Sequence, residues 1–277
     1  MLTFIEAISL AGDRAKQNDD ACGFAGGRAW VIDGATDMHD APLTGAASDA
    51  GWIAYFVNAY LHGAEGGDLV TALRGASAAA TETFRRLTQG RPIERWQSPI
   101  ASVLMIEARH GLVSGADLGD CRVFALDADG GVHVIGGPGD AGDHESKLAA
   151  QQTDAHKPLL QRTQTIETLR RLRASLNKPG GSHWTFGLDP ACADHARTWS
   201  LELRRPAHLL LMTDGFAALT DRYDAYGAGD LVQAALTRGL QELGRELRQI
   251  EVADAGGAKH PRFKASDDAT ALLMRLS

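Results

Sequence analysis

No apolar run in this 277-residue chain approaches the roughly 18 residues that a helix needs to cross a bilayer. The first residues, Met1-Leu2-Thr3-Phe4-Ile5-Glu6, have neither a basic start nor an extended apolar stretch. Neither export nor membrane anchoring is therefore expected, and a cytoplasmic location is. Cysteine is scarce. Cys22, Cys121 and Cys192 are odd in number, far apart and form no Cys-x-x-Cys pair, which argues against a disulfide framework and against a thiolate zinc site. Basic residues are in deficit, 28 against 35 acidic ones for a net charge of −7, so the electrostatic footprint of a nucleic-acid binder is missing. There is no Cys-x5-Arg loop and no Gly-x-Ser-x-Gly elbow, which removes two common kinds of protein nucleophile. The glycine-rich stretch 136–142 lacks the Gly-Lys-Ser/Thr ending of a phosphate-binding loop and carries Asp140, with Asp143 just beyond; it reads as a mobile loop.

What is present is enough apolar sequence, 44%, for a full core in one large domain or two small ones. Short apolar runs at residues 4–9 and 29–32, bounded by Gly or Asp, predict strands. Two helices should follow. Ser48 and Asp49 suit the cap of the first, and Asp68 precedes Leu69, Leu73, Ala76, Ala80, Phe84 and Leu87, spaced along one helical face. Residues 102–106, 112–116 and 122–126 are brief and separated by turn residues, the pattern of an antiparallel meander that Asp129-Gly130-Gly131 extends into a hairpin with 132–135. Residues 136–185 are polar and helix-compatible through Leu159, Ile166, Leu169 and Leu172, and read as an inserted flap. Strands resume at 199–203 and 208–213, one long helix runs through 230–250, and 269–276 closes the chain as a strand. Helices fall between blocks of strands rather than after each one, so a layered α+β fold is expected, not a doubly wound sheet.

Chemistry is concentrated in aspartates. Val31-Ile32-Asp33-Gly34 and Leu211-Met212-Thr213-Asp214-Gly215 each put a carboxylate at the end of an apolar strand, where a rigid element can aim it into a cleft. In both cases irregular polar sequence, not a short return strand, is expected to follow. Glycine after the acid would let a backbone carbonyl approach a cation. Asn18-Asp19-Asp20, Gly119-Asp120 and Ser266-Asp267-Asp268 are three further acidic clusters. A set of this kind without interleaved His or Cys implies an all-oxygen cage suited to Mg²⁺ or Mn²⁺. Asp221-Arg222-Tyr223-Asp224 reads as solvated loop, and His144 and His183, the histidines of cleft-facing segments, read as surface or packing residues.

In order and approximate spacing, Asn18-Asp19-Asp20, Val31-Ile32-Asp33-Gly34, Gly119-Asp120-Cys121-Arg122, Thr213-Asp214-Gly215 and Asp267-Asp268-Ala269-Thr270 resemble the motifs of the type 2C metal-dependent serine/threonine protein phosphatases. The resemblance implies a four-layer αββα architecture, a central antiparallel β-sandwich flanked by helices, with a binuclear centre at one end and a flap beside it. It implies Asp33 as a bridge between two Mn²⁺ or Mg²⁺ ions, Asp214 and Asp267 completing one site, and Asp19 with the Gly34 carbonyl completing the other. Asp20 would hydrogen-bond metal waters, and Asp120 with Asp214 would offer a weak third site.

Departures from the pattern carry expectations too. Asp19 stands where the family has the longer glutamate, so its site should be weaker or water-mediated. Ala15 occupies the usual position of the phosphate-gripping arginine, which leaves Arg14 and Lys16 as candidates. Ala35 replaces a histidine of animal members that bacterial members often lack. The expected reaction is hydrolysis of phosphoserine or phosphothreonine by a hydroxide bridging two cations about 3.5–4 Å apart. The resemblance also implies a phosphoprotein substrate, a cognate kinase system and a monomer. A hydrolase of small phosphorylated molecules and a non-catalytic binding module on the same fold are the alternatives.

Overall fold

The computed structural model describes residues 1–64, 66–109, 111–137, 149, 159–181 and 183–277. Successive residues of a strand face opposite sides, and in the central strands both sides are apolar, so each sheet must be covered twice. Two sheets satisfy this. β1 (Leu2–Leu10), β10 (Ala269–Leu276), β9 (Ala207–Met212), β6 (Arg122–Leu126) and β7 (Val132–Gly136) lie side by side in that order. The second sheet holds β2 (Asp20–Ala25), β3 (Arg28–Gly34), β4 (Ala101–Arg109), β5 (Leu112–Leu118) and β8 (Arg197–Glu202). All the pairings are antiparallel.

Alternate residues sort into three cores. Ala29 and Val31 of β3, Leu104 and Ile106 of β4, and Leu209 and Leu211 of β9 are buried between the sheets. Trp30, Ile32, Val103 and Met105 face the other way and pack against α1 (Asp49–Gly63) and α2 (Leu69–Leu87) through Ile53, Val57 and Leu73. On the far side, Leu210, Met212, Ala271 and Leu273 meet α4 (Asp214–Asp221), α5 (Ala228–Arg238) and α6 (Leu240–Ala253) through Phe216, Leu231, Leu243 and Leu247. Burying each large apolar side chain contributes about 1.5–3 kcal/mol. The result is the expected four-layer αββα sandwich. Both helix caps lie where the sequence suggests: Ser48 Oγ accepts from Gly51 N and Asp68 Oδ1 from Thr71 N.

Three local expectations are corrected. Strands β4 and β5 pair, but β6 leaves the meander and crosses to the other sheet, where it pairs with β9 and, across the Asp127 to Gly131 hydrogen bond, with β7. The long helix over 230–250 is two helices, because Gly239 sits at φ +81° between α5 and α6, a conformation that ends one helix and turns the chain into the next. The residues after Asp214 are not irregular but form α4, with Asp214 in its first turn. Of the expected insertion, a short 3-10 turn (Leu159–Gln161) and α3 (Thr163–Ser175) are defined. The glycine-rich loop from Pro138 onward and His144 lie outside the described residues.

Candidate active site

At one end of the sandwich the mouths of both sheets bring carboxylates together. Asp20 opens β2 and is the register partner of Asp33 on β3. Asp33 in turn lies opposite Ser102 of β4, whose hydroxyl donates to Asp120 Oδ1 at 2.6 Å. From the other sheet, Thr213 follows β9 and donates its hydroxyl to Asp20 Oδ2 at 2.8 Å. Asp214 comes next and lines the same cavity as Asp33. Asp268, just before β10, accepts from Gly12 N at 2.7 Å and Asp19 N at 2.6 Å, tying both ends of the β1–β2 connection to the start of β10. Ser48, the cap of α1, donates its hydroxyl to Asp19.

The two Asp-Gly glycines have a packing reason. A Cβ on Gly34 would lie 2.4 Å from the Ala50 carbonyl oxygen and 2.6 Å from that of Asp19. One on Gly215 would lie 1.9 Å from the Asp268 carbonyl oxygen. Only a residue without a side chain lets these loops close on one another.

Electrostatics set the site apart from an ordinary acidic surface. Burial pushes Asp33 and Asp20 well above the usual carboxylate range, and neighbouring carboxylates push them further: Asp20 and Asp214 act on Asp33, Asp268 and Asp267 on Asp20. Burial, then Asp267 and Asp120, bring Asp214 to about 7. Burial brings Asp19 to about 6 against the Ser48 hydrogen bond. Asp267 goes the opposite way: burial raises it, but the Lys264 ammonium, 2.6 Å from its Oδ1, together with Arg222 and the Asp268 N–H, outweighs that and lowers it. Such a cluster is short of positive charge. Among the described residues, Asp20 Oδ1 is buried with no hydrogen-bond partner, an uncompensated acceptor. Oxygen donors with this excess of negative charge fit hard divalent cations such as Mg²⁺ or Mn²⁺.

A cavity of about 600 Å³ opens on these residues. Asp33, Gly34, Asp120, Asp214 and Asp267 line it; Asp19 and Asp20 do not, although Asp268 and Thr213 tie them to its neighbours Asp267 and Asp214. Arg14 and Lys16 are exposed on the connection from β1 to β2 and are not part of the lining. The cations that do line it are Arg173 of α3, Arg222, Arg262 and Lys264. Arg222 belongs to the stretch expected to be solvated loop, an expectation the lining corrects. Lys264 was findable, since it lies three residues before Asp267 in the same loop. Leu169, Leu172, Leu176 and Phe263 supply an apolar side, and His183 also lines the cavity. A second cluster, Asp37, His39 and Asp49, is spent on structure. Asp37 accepts from Asp49 N and Ala50 N at the start of α1, and Asp49 accepts from Leu43 N, Thr44 N and the Thr44 hydroxyl.

A two-sheet sandwich with carboxylates converging at the end of both sheets defines a protein built to hold divalent cations beside a cleft. The chain matches the protein phosphatase 2C family over residues 13–249 and belongs to that family of metal-dependent serine/threonine protein phosphatases. The serine/threonine phosphatase PstP/Ppp of Mycobacterium tuberculosis is 18% identical with a TM-score of 0.60, over 100% of this chain and 99% of that one. PppA of Pseudomonas aeruginosa, described as a key regulatory component of T6SS, is 19% identical with a TM-score of 0.56 over 99% of each chain. The PstP catalytic domain in complex with two manganese ions is 17% identical with a TM-score of 0.56, again over 99% of each. At these identities the likeness establishes the fold. Among curated proteins none matches the chain.

Proposed function

We propose that this chain hydrolyses phosphoserine and phosphothreonine on proteins, with Asp33 and Asp214 at the centre of a cage completed by Asp19, Asp267, Asp120 and the Gly34 carbonyl. The observation that carries the reading is the buried, mutually repelling carboxylate set with an unpartnered Asp20 Oδ1 beside it. The manganese pair in the PstP catalytic domain supports two Mn²⁺ or Mg²⁺ ions as the cofactor. When bound, such cations supply Lewis acidity, lowering the pKa of a water and screening the charge of phosphate oxygens.

The chain's own residues do the rest. Burial and neighbouring carboxylates raise the pKa of both Asp33 and Asp214, so each holds a proton more readily without cations than a free carboxylate would, and positive charge would favour its release. Asp20 Oδ1, held by the Thr213 hydroxyl on its other oxygen, is set to accept a hydrogen bond from the attacking water. Ser102 fixes Asp120, and Ser48 fixes Asp19, so that neither carboxylate has to be ordered at the moment of binding. Residues 136–185 are read as a flap beside the cleft, within one catalytic domain. On the same reading we propose a cognate kinase that supplies the phosphoprotein, a monomeric enzyme and a cytoplasmic location; among the described residues no helix is long and apolar enough to cross a membrane.

The test is hydrolysis after exhaustive chelation and dialysis, then after adding Mn²⁺ or Mg²⁺, with a phosphothreonine peptide and a panel of phosphorylated metabolites side by side. Activity should vanish with chelator, return with metal and favour the peptide. Full activity in the chelated protein would defeat the two-metal reading, and turnover of metabolites alone would move the protein to the small-molecule alternative.

A further inference from the structure

The loop between α6 and β10 brings a cation to the cage that the aspartate motifs do not account for. Lys264 Nζ lies 2.6 Å from Asp267 Oδ1 and lines the same cavity as Asp33 and Asp214. The loop that carries it is built rather than slack. Arg262 donates to Asp254 Oδ2 at 2.9 Å, to the His260 carbonyl at 2.9 Å and to the Ala265 carbonyl at 3.0 Å. Arg162 donates to the Phe263 carbonyl at 2.9 Å. The carbonyls of both neighbours of Lys264 are thus held, which fixes the backbone that carries it. Arg14 and Lys16, by contrast, are exposed and outside the lining.

An ammonium has three donors, and among the described residues Lys264 gives a hydrogen bond only to Asp267. A divalent cation at Asp267 would attract that carboxylate with twice the charge and repel the ammonium. Lys264, on a flexible four-carbon stem, would then turn to the nearest remaining anion in the cavity, which during turnover is the phosphate. Building on the phosphatase reading, we propose that Lys264 is the counter-ion of Asp267 before cation loading and a ligand of the substrate's phosphate after it, so that the same residue weakens cation binding at Asp267.

The experiment uses the full chain, Lys264→Gln, and Arg14→Ala as a comparison, and measures Mn²⁺ binding by calorimetry, then inorganic phosphate binding at saturating Mn²⁺. Lys264→Gln should bind Mn²⁺ about tenfold tighter at one site, because a nearby like charge is gone. It should bind phosphate about tenfold more weakly, the size of one lost charge-assisted hydrogen bond. With a phosphothreonine peptide, KM should rise more than kcat falls. Arg14→Ala should leave phosphate affinity unchanged. Phosphate affinity unchanged in Lys264→Gln, or Mn²⁺ binding that is not tightened, overturns the proposal. Should the glutamine variant fail to fold, Lys264→Met, which keeps the apolar stem and removes only the charge, is expected to give the same two changes. Both affinities are read without turnover, so a wild type that binds Mn²⁺ and phosphate yet hydrolyses nothing defeats the phosphatase reading, while this assignment stands or falls on the affinities.

Discussion

Asp33 concentrates the demands of the site in one side chain. It pairs in register with Asp20 and feels the charge of Asp20, Asp214, Asp120 and Asp267. In Asp33→Asn one source of that repulsion disappears. The melting temperature of the metal-free protein should therefore hold or rise. The stabilisation gained on adding Mn²⁺ should shrink, because it scales with the logarithm of metal concentration over Kd, and kcat should fall by several orders of magnitude. Paired melting curves with and without Mn²⁺, alongside turnover, give the answer. A variant that keeps both its metal-induced shift and its activity would reduce Asp33-Gly34 to a turn. These carboxylates were legible in the sequence because each follows an apolar strand and repeats a short pattern. The cations Arg173, Arg222 and Arg262 were not, because they come from three separate segments with no periodicity, and only folding brings them to one cavity with Lys264.

Among the elements, α3 is held differently from the other helices. Ile166 is its one buried residue, whereas α2 buries Leu69, Leu73, Ala76 and Phe84. Polar bonds do the holding. Arg170 donates twice to the Met38 carbonyl, at 3.0 and 2.6 Å, with its guanidinium 4.2 Å over the Trp96 ring. Arg173 donates to the Thr36 carbonyl at 3.2 Å, and Arg95 reaches back to the Leu176 carbonyl at 3.0 Å. Arg170→Ala removes a cation–π contact and two hydrogen bonds, a local loss of about 1–3 kcal/mol. Hydrogen exchange over residues 163–175 should quicken by roughly ten- to a hundredfold while the global melting temperature barely moves, since the sandwich cores do not depend on α3. Unchanged exchange there would mean that the helix is held by something else. The strands were legible as bounded apolar runs, with two physical limits. β2 was missed because Gly23 interrupts a six-residue strand whose side chains are mixed. The crossing of β6 to the other sheet leaves no local mark, since a strand buried on both faces has the same composition in either sheet.

Across the whole molecule, the end of the sandwich that carries the carboxylates works against the rest of the fold until positive charge arrives. The folded-state pKa values of Asp20 and Asp33 are raised well above the unfolded carboxylate value, that of Asp19 to about 6 and that of Asp214 to about 7. A carboxylate whose folded pKa is raised contributes stability that is complete below the unfolded value of about 3.9 and is lost as pH rises through the folded one. Asp267 has the opposite sign, since its lowered pKa contributes stability above the unfolded value and loses it in acid. The contribution of Asp267 is already complete above about pH 5, so the raised groups decide the balance, and with chelator present the melting temperature should fall as pH is raised from 5 to about 7.5. With saturating Mn²⁺ the trend should reverse, because cation binding requires the ionised carboxylates and proton competition fades as pH rises. Melting curves at four pH values, with chelator and with Mn²⁺, separate the two trends. A metal-free protein whose stability is flat or rises over this range would show that the carboxylates do not oppose the fold, and the demand for cations inferred from their burial would go with it.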